Sequence, residues 1–510
     1  MKRLFNIISK KSTTALILLL VEIILSGFIV LFLGKSFLIF GVLVYIFDIA
    51  VIFYIANSIS NPAYKISWIF MVILLPFVGG ALYLILGKRR TVKKFKKKFL
   101  DSEILNIVFF KNNKKFIENL DIDPLCLQMI RWIYNVSKFP VYDMTKTQFL
   151  QSGILYFQNL IEDLKKAKKT IFMEFFLISP GKMWGDILEI LIKKIKEGVD
   201  VRLIYDDIGT IASIPRGYEK YLEQLGIRCK IFNPIIPKFE AIMNNRDHRK
   251  MVVIDGYIAY TGGVNIADEY INEIERFGFW QDCGVKLTGK AAFSFVVLFL
   301  NMWNYLSGES ISTLSFEDYF LKDFSIESDG LVMPFGDNPV SSFYLNDSIY
   351  LNIINRAKKY VYIQTPYLVI DDKLTNSLIF AAQSGVEIII VTPNIHDKIY
   401  VHALTRNSYS RLIREGVKIY EFTPGFIHSK VIISDDVIGV LGTANFDFRS
   451  LYLHFECSVL MYKTNALKQI YEDFKIILEK SKRVSLKECE KRNIFEKILA
   501  FILKPFSSFL

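Results

Sequence analysis

The sequence predicts an α/β protein with transmembrane helices at its amino end, followed by two homologous α/β lobes packed about a pseudo-twofold axis. Three observations support this prediction. Hydrophobic residues make up 52% of the 510-residue chain, a high share, and the excess is concentrated at the amino end. Beyond it, short β-branched runs alternate with helical patterns, as is typical of α/β architecture. One histidine-containing pattern occurs twice, at residues 248 and 428, which indicates that the lobes are repeats.

Three apolar stretches at the amino end each approach the ~20 residues that a helix needs to cross a bilayer. They cover residues 13–33, 37–56 and 66–86. The first is longer than a signal-peptide core and no A-x-A cleavage site follows it, so we interpret it as an uncleaved anchor. The third contains Pro76, which is expected to kink it. Asp48 lies near the middle of the second, where it either marks a functional site or makes a helix–helix hydrogen bond.

A basic run, KRRTVKKFKKK at residues 88–98, holds eight positive charges and no acid in a chain whose formal net charge is +12. Directly after a membrane span, such a cluster favours anionic lipid headgroups, at ~1 kcal/mol per basic residue, over a solvated tail or a nucleic-acid contact. If all three stretches span, the positive-inside rule assigns the long carboxyl region to the cytoplasm. We therefore expect a multi-pass cell-membrane protein with two or three spans, cytoplasmic lobes, anionic lipids as partners and no nucleic acid.

The region beyond the basic run repeats itself segment by segment. AKKTIFMEFF at Ala167 corresponds to AKKYVYIQTP at Ala357, and KEGVDVRLIYDD at Lys196 corresponds to QSGVEIIIVTPN at Gln383. In each pair a helix ends and a buried strand begins. We predict five segments: a transmembrane anchor (1–87), a basic juxtamembrane linker (88–118), a first lobe (119–325), a second lobe (326–485) and an amphipathic helix (486–510).

The repeated pattern is H-x-K-x-x-x-x-D, followed at matched distance by a turn of small residues and an asparagine. The residues are His248, Lys250, Asp255 and Asn265 in the first copy, and His428, Lys430, Asp435 and Asn445 in the second. Residues i and i+2 share one face of a strand, so the histidine and lysine of each copy point the same way. Two repeated lobes related by a pseudo-twofold axis would bring both sets to one central cleft.

The residue types in this cleft suit phosphate chemistry. Two lysines, two asparagine amides and a helix amino end would bind a phosphate group. One imidazole can attack phosphorus while the other protonates the leaving oxygen, which predicts one neutral and one protonated histidine in the free site. Neither step needs a metal or another cofactor, because the lysines supply the charge stabilisation. A single copy could be a strand with a buried histidine, but two matched copies favour a working or ancestral active site.

The doubled motif, with G-G/T-x-N after it, resembles the phospholipase D superfamily. Further stretches resemble the bacterial cardiolipin synthases, namely RDHRKMVVIDGYIAYTGGVNIADEY, FWQD, IQTPYLVIDD, GVKIYEFTPGFIHSK and GTANFDFRS. The resemblance implies two phospholipase D-like lobes and a transfer of a phosphatidyl group between two phosphatidylglycerol molecules, which yields cardiolipin and glycerol through a phosphohistidine. One phosphodiester replaces another, so the reaction requires no nucleotide.

The same resemblance implies roles for individual residues. His248 corresponds to the nucleophile, and Asp282 and Glu456 correspond to acids that orient the imidazoles. Asp255 and Asp435 belong to the catalytic motif, although their positions beside the turns favour a role in loop geometry over substrate contact. Glu174 is a weaker candidate for the pocket.

Two other functions remain open at this stage. A phospholipase D-type hydrolase would use the same histidines with water as acceptor. A catalytically dead membrane protein would bind anionic lipid through the basic run. The sequence separates these from a synthase only by resemblance.

Several other signals are weaker. GVKLTGKA at residues 284–291 lacks the final hydroxyl of a nucleotide-binding loop and is interpreted as strand and turn. His396, His402 and His454 have no metal-ligand spacing, so we expect surface or supporting roles for them. The five scattered cysteines give no disulfide or zinc pattern. The last helical pattern has one apolar face (Ile494, Phe495, Ile498, Leu499 and Ile502), which suits packing on the lobes or lying on the membrane.

Overall fold

The computed structural model describes residues 36–58, 60–87, 97, 99–100, 110, 113–234, 245–308, 326–341 and 343–509. The first apolar stretch, and the basic run apart from Lys97, lie outside these residues, so the expectations for them stay predictions. The chain divides into two compact units between Lys88 and Arg89. The boundaries predicted within the second unit also stay predictions.

The amino-terminal unit is helical. Within the described residues, one helix is long and apolar enough to cross a membrane, at Ile39–Ala56 of the helix Ser36–Ala56. Shorter helices follow at Pro62–Leu74 and Val78–Leu82, and a π-helical turn covers Tyr83–Gly87. The second apolar stretch of the sequence therefore corresponds to the candidate span.

The third apolar stretch is not one continuous helix, in agreement with the kink expected at Pro76, and the number of spans stays a prediction. Helix Pro62–Leu74 ends before Pro76, and Phe77 has a left-handed φ of 67°. The Asp48 carboxylate accepts hydrogen bonds from the Phe77 backbone N–H at 3.0 and 3.1 Å. The proline interrupts the helix, and of the two interpretations of Asp48 the structure contains the hydrogen bond between helices.

The second unit is mixed α/β. Its strands among the described residues, numbered in chain order, are β1 (Thr145–Leu150), β2 (Thr170–Phe175), β3 (Asp200–Asp206), β4 (Arg228–Phe232), β5 (Lys250–Ile254), β6 (Ile258–Gly262), β7 (Phe279–Gln281), β8 (Gly284–Gly289), β9 (Leu331–Asp337), β10 (Tyr360–Gln364), β11 (Leu368–Val369), β12 (Glu387–Pro393), β13 (Lys418–Phe422), β14 (Gly425–Ile427), β15 (Val431–Ser434), β16 (Ile438–Gly442), β17 (Phe446–Asp447), β18 (Glu456–Tyr462) and β19 (Ser481–Arg483). Its described α-helices are Asn113–Glu118, Pro124–Ser137, Gly153–Lys166, Lys182–Lys196, Asp207–Thr210, Tyr218–Gln224, Ala292–Ser307, Leu345–Arg356, Asp372–Gln383, Ile399–Arg414, Phe448–Tyr452, Asn465–Glu479, Leu486–Glu490 and Ile494–Leu503.

The strands form two large sheets whose orders match position by position. The first runs β1-β8-β6-β5-β2-β3-β4, and the second runs β9-β18-β16-β15-β10-β12-β13 with β19 added at the β13 edge. In the first sheet the pairings are antiparallel as far as β2 and parallel from β2 to β3 and β4. In the second sheet they are antiparallel as far as β10 and parallel from β10 to β12 and β13. The prediction of two homologous α/β lobes is confirmed by this shared topology.

The motif strands are buried on both faces. Every residue of β2 and β5 in the first lobe, and of β15 in the second, is buried. Strands covered on both sides carry near-continuous apolar side chains, which explains the runs MVVI and VII after each motif lysine. The histidine and lysine that precede each apolar run therefore lie at one end of a buried central strand.

One apolar core runs through both lobes. Helix Ala292–Ser307 lies in it and packs against β2, β4 and β5 of the first sheet and against β9 of the second. The Phe299 ring of this helix stacks on Phe172 of β2, with ring centroids 4.7 Å apart. The helix is apolar enough to resemble a short span, yet most of its residues are buried, as in the core helix of a large protein.

Candidate active site

The two motif histidines lie where the lobes meet. The His248 backbone N–H donates to the Phe455 carbonyl at 2.9 Å, and the His428 N–H donates to the Gln281 carbonyl at 2.7 Å. Each bond crosses from one lobe to the other, beside an isolated bridge between Asp247 and Phe455 and the parallel pair of β7 and β14. The exchange is reciprocal, as a pseudo-twofold axis requires.

Each imidazole is held by a carboxylate of the opposite lobe. His248 Nδ1 lies 3.0 and 3.1 Å from the two oxygens of Glu456. His428 Nδ1 lies 2.8 Å from Asp282 Oδ2. When Nδ1 carries the proton and donates to the carboxylate, Nε2 keeps its lone pair and can attack or accept a proton.

The turns after β6 and β16 fit these two carboxylates differently. A Cβ at Gly263 would overlap the Asp282 carboxylate, so the first lobe needs glycine there. The corresponding Thr443 donates its hydroxyl proton to Glu456 Oε2. The small residue of the first turn therefore leaves room for Asp282, and the threonine of the second turn binds Glu456.

The two lysines are buried beside the histidines. Lys250 Nζ donates to the His248 carbonyl at 2.8 Å, and Lys430 Nζ makes the same bond to the His428 carbonyl. Burial lowers the pKa of Lys250 to about 8 and that of Lys430 to about 7. Both ammonium groups are therefore partly deprotonated near neutral pH, and an arriving anion would raise their pKa values.

Both imidazoles are neutral in the free site near pH 7. Burial, followed by the charge of Lys250, holds the pKa of His248 well below its usual value. Burial, followed by the charge of Lys430, lowers the pKa of His428 to about 4. We expected one histidine to be protonated before substrate binds, and these directions contradict that expectation. Burial also raises the pKa of Glu456 to about 8, so His248 and Glu456 form a neutral pair.

The two half-sites act on each other electrostatically. His428 and Lys430 of the second lobe contribute to the low pKa of His248, and Lys250 of the first lobe contributes to the low pKa of His428. Each histidine is also packed among aromatic rings. Phe176 lies 5.1 Å from His248 between ring centroids, and Tyr270 and Trp280 lie 5.5 and 5.4 Å from His428. The predicted histidines and lysines are thus buried in one site where the two lobes meet.

The two asparagines are buried, and the amide nitrogen of each already donates a hydrogen bond within the protein. Asn265 accepts from the Leu177 N–H at 3.2 Å and donates to the Tyr270 hydroxyl at 2.6 Å. Asn445 donates to Asp447 at 3.1 Å. The predicted helix amino end is closed as well, because Asp447 caps the helix Phe448–Tyr452 by accepting from the Ser450 N–H. Phosphate binding by the asparagines stays a prediction, whereas the open helix end does not occur in the second lobe.

Asp255 and Asp435 are not brought to the histidines, because a whole strand separates them from the motif lysines. Both residues have left-handed φ angles, 53° and 59°. Each carboxylate accepts backbone N–H bonds from the start of the neighbouring strand. The donors are Lys168, Lys169 and Thr170 for Asp255, and Lys358, Lys359 and Tyr360 for Asp435. Both carboxylates therefore tie the turn after the motif strand to the neighbouring strand, which is the role in loop geometry that their positions in the sequence suggested.

Glu174 lies in a buried charge cluster under the first half-site. Its carboxylate is 3.3 Å from Arg249 Nη1. Burial, followed by the charge of Asp247, raises the pKa of Glu174 well above its usual value. Arg249 Nε also donates to the Glu456 carbonyl, so this cluster supports the strand that carries the His248 partner.

Sequence analysis did not assign His454 to the site, yet it lies beside His248. The two ring centroids are 5.5 Å apart, and His454 Nε2 accepts from Arg449 Nε at 3.2 Å. The signal was its position two residues before Glu456, since residues i and i+2 project to the same side of an extended segment. The rings of His396 and His402 stack on each other, with centroids 5.2 Å apart.

Among the described residues, His248, His454 and Glu456 are the one group close enough to hold a metal ion, with ligand atoms within 4.8 Å of one another. His248 Nδ1 is already bonded to Glu456. The cationic Lys250 and Arg449 contribute to the low pKa of His454 and would repel a cation in the same way. These three residues therefore suit proton transfer and hydrogen bonding better than metal binding.

Comparison with known proteins assigns the repeated lobes to a described family. The profile of "Cardiolipin synthase, PLD-like domain" matches residues 160–275 and 350–478, and that of "Phospholipase_D-nuclease N-terminal" matches residues 46–88. A cardiolipin synthase of Alkalihalophilus pseudofirmus is 31% identical over 92% of this chain and 95% of its own. Cardiolipin synthase 2 of Bacillus anthracis is 32% identical over 86% and 85%. The crystal structure of phosphatidylserine synthase from Haemophilus influenzae covers 76% of this chain and 100% of its own, with a TM-score of 0.56 at 18% identity, and so shares the fold.

The low lysine pKa values predict pH-dependent anion binding. We expect the affinity for sulfate, whose charge is constant, to fall as pH rises through about 7 and 8, because Lys430 and then Lys250 lose their protons. The loss should approach about tenfold per pH unit once a required lysine is deprotonated. Isothermal titration calorimetry on the detergent-solubilised protein measures it. Lys430→Arg keeps its charge and should remove the lower step, whereas a pH-independent affinity in the parent protein contradicts the assignment.

Proposed function

Since the chain belongs to the cardiolipin synthase family of phospholipase D-like proteins, we propose that it transfers a phosphatidyl group from one phosphatidylglycerol molecule to the hydroxyl of another. The products are cardiolipin and glycerol. The observation that carries this proposal is the pair of cross-lobe contacts, His248 with Glu456 at 3.0 Å and His428 with Asp282 at 2.8 Å. Two oriented imidazoles in one cleft suit a two-step exchange of phosphodiesters.

In the first step, His248 Nε2 attacks phosphorus and the bond from phosphorus to the glycerol oxygen breaks. That oxygen takes a proton from His428, and glycerol leaves. In the second step, the hydroxyl of the second phosphatidylglycerol gives its proton to His428 and its oxygen attacks the phosphohistidine. The bond from phosphorus to His248 then breaks, and both histidines return to their starting states.

Binding of the anionic substrate lets the site take up from solvent the proton that the free site lacks. The phosphodiester carries a negative charge, which raises the pKa values of the cationic groups around it. Lys250 and Lys430 become fully charged and stabilise the extra negative charge of the transition state. The same negative charge raises the pKa of His428, which burial and Lys430 lower in the free site, so that His428 takes up a proton from solvent. The bound lipid thus creates the acid that its own leaving group needs.

Two differences between the half-sites support His248 as the nucleophile. Its Nδ1 contacts both oxygens of Glu456, whereas His428 contacts one oxygen of Asp282. Glu456 is held in turn by the Thr443 side chain, whereas Asp282 is held by the Cys283 backbone N–H at 2.8 Å, because Gly263 at the corresponding turn offers no side chain. A nucleophile must keep one tautomer and one direction through the reaction, and the more constrained imidazole meets that need.

The acceptor distinguishes a synthase from a hydrolase of the same family. Water is more abundant than any lipid hydroxyl, so synthesis requires a cleft that excludes it after glycerol leaves. The side chains of His248 and His428 are 11% and 9% exposed. Aromatic rings surround both imidazoles, which supports a dry cleft and a lipid acceptor.

We propose further that the lobes face the cytoplasm of a multi-pass membrane protein. The chain carries a candidate span at Ile39–Ala56 and a run of eight positive charges at residues 88–98. The positive-inside rule assigns such a run to the cytoplasmic side.

The purified protein should convert phosphatidylglycerol into equal amounts of cardiolipin and glycerol without nucleotide and with a chelator present. Added glycerol should drive the reaction backwards. His428→Ala should lower kcat by about 10²- to 10⁴-fold, because a proton-transfer group is lost. Lys220→Ala, at an exposed position of helix Tyr218–Gln224, is the control variant. Phosphatidic acid as the main product would identify a hydrolase, and an active His428→Ala variant would reject the doubled site.

Rapid quench with phosphatidylglycerol labelled at phosphorus should trap a phosphoenzyme, because the exchange passes through a covalent intermediate. Peptide mapping should find the label on His248, and His248→Ala should remove it. Label on His428 would reverse the assignment. Turnover without any trapped label, at mixing times shorter than one cycle, would argue for direct displacement.

Sidedness can be measured with an engineered surface cysteine, because the five native cysteines are buried. Lys220 is exposed on helix Tyr218–Gln224, so Lys220→Cys introduces an accessible thiol. An impermeant maleimide should label it only after the cells are permeabilised. Labelling in intact cells would mean that the lobes face outward.

A further inference from the structure

The last α-helix of the described chain, Ile494–Leu503, is followed by a 3₁₀ helix at Lys504–Phe509 and packs on the second lobe by one face. Ala500 on this face is buried, and the helix lies against helix Ile399–Arg414 of the second lobe. Glu496 on the same side is 3.4 Å from Arg492 and 3.9 Å from Arg406. These contacts fix the rotation of the helix about its axis. The opposite face is therefore held outward.

The outward face is an uninterrupted apolar stripe. The exposed fractions are 61% for Ile494, 77% for Phe495, 48% for Ile498, 82% for Phe501 and 56% for Ile502. Positions i, i+1, i+4, i+7 and i+8 lie together on one side of an α-helix. Single exposed apolar residues are ordinary, but a continuous stripe with two phenylalanines marks an interaction surface.

The surroundings of the stripe are basic. Residues 482–504 contain seven lysines and arginines and three glutamates. Two of the glutamates are engaged, because Glu488 pairs with Lys482 and Glu496 pairs with Arg492. Lys491 and Lys504, on either side of the helix, are exposed. The helix therefore combines an apolar face with flanking positive charge.

We propose that the stripe of Ile494, Phe495, Ile498, Phe501 and Ile502 inserts into the interface of an anionic lipid bilayer. A helix with a large apolar face and basic flanks lies in the plane of the interface, with the apolar face ~5–10 Å below the headgroups. A second copy of the chain is a poorer occupant, since two such helices would bring their basic flanks together. The inference concerns a surface remote in sequence from the doubled motif, and it does not require the proposed reaction.

The sequence left packing on the lobes and lying on the membrane as equal alternatives. The structure separates the two faces of the helix, because Ala500 and Glu496 pack inward while the stripe points outward. Leu499, which the sequence placed on the apolar face, is only partly exposed. Phe501, which it did not, is the most exposed residue of the stripe. Bilayer contact would keep the second lobe at the lipid surface independently of the candidate span.

A fluorescent label on the full-length protein in vesicles tests this contact. Phe501→Cys and the control Lys487→Cys, exposed on the preceding helix, can be labelled selectively because the native cysteines are buried. The vesicles contain phosphatidylcholine and phosphatidylglycerol, with a nitroxide near the top of the acyl chains. We expect a blue-shifted emission at position 501 and at least threefold more quenching there than at position 487. Replacing phosphatidylglycerol with phosphatidylcholine should reduce the quenching at 501.

Two results would overturn the inference. Equal quenching at positions 501 and 487, with a water-like emission at 501, would mean that the stripe stays in solvent. Protection of position 501 from the lipid nitroxide, together with a 501–501 disulfide between copies, would identify a second copy as the occupant. Neither result depends on turnover, so the outcome is independent of the proposed reaction.

Discussion

The reciprocal bond between each motif histidine and a carboxylate of the opposite lobe is the constraint on which the rest of the site depends. His248 is held by Glu456 and His428 by Asp282, so neither imidazole is oriented until the lobes are joined. The shared apolar core and the helix Ala292–Ser307 fix that joint. Core packing far from the cleft therefore sets the distance between nitrogen and carboxylate, and strands of near-continuous apolar sequence make the joint rigid.

Burial both enables and limits the chemistry of this enzyme. Taking two imidazoles and two lysines out of water lowers the affinity of all four for protons, since the charged forms lose hydration. The free protein therefore avoids the accumulation of four positive charges in this site, where they would repel one another. An anionic lipid reverses the balance when it enters. The same desolvation that weakens the groups in the free state strengthens each of their interactions with a bound phosphate.

The sequence was sufficient for the repeat, the two lobes and the histidine–lysine pairs, because these follow from local spacing and strand periodicity. It was insufficient wherever a partner comes from elsewhere in the fold. The presence of His454 beside His248 depends on how the lobes meet. Asp447, which closes a helix end, and the proton balance of the histidines depend on burial that no local pattern encodes. The break at Phe77 is an intermediate case, since Pro76 signalled it and the Asp48 bond completed it.

The crossed carboxylates also bear on how such a chain can originate. A solitary lobe has its own histidine and lysine but borrows its acid, so a primordial single-lobe protein would act only as a symmetric homodimer. Tandem fusion of two copies removes the obligation to be symmetric. The two halves of the present chain differ in this way. One has an aspartate beside Gly263, and the other has a glutamate bonded to Thr443. Fusion thus lets each half change its acid and its turn separately, which two copies of one identical lobe cannot do.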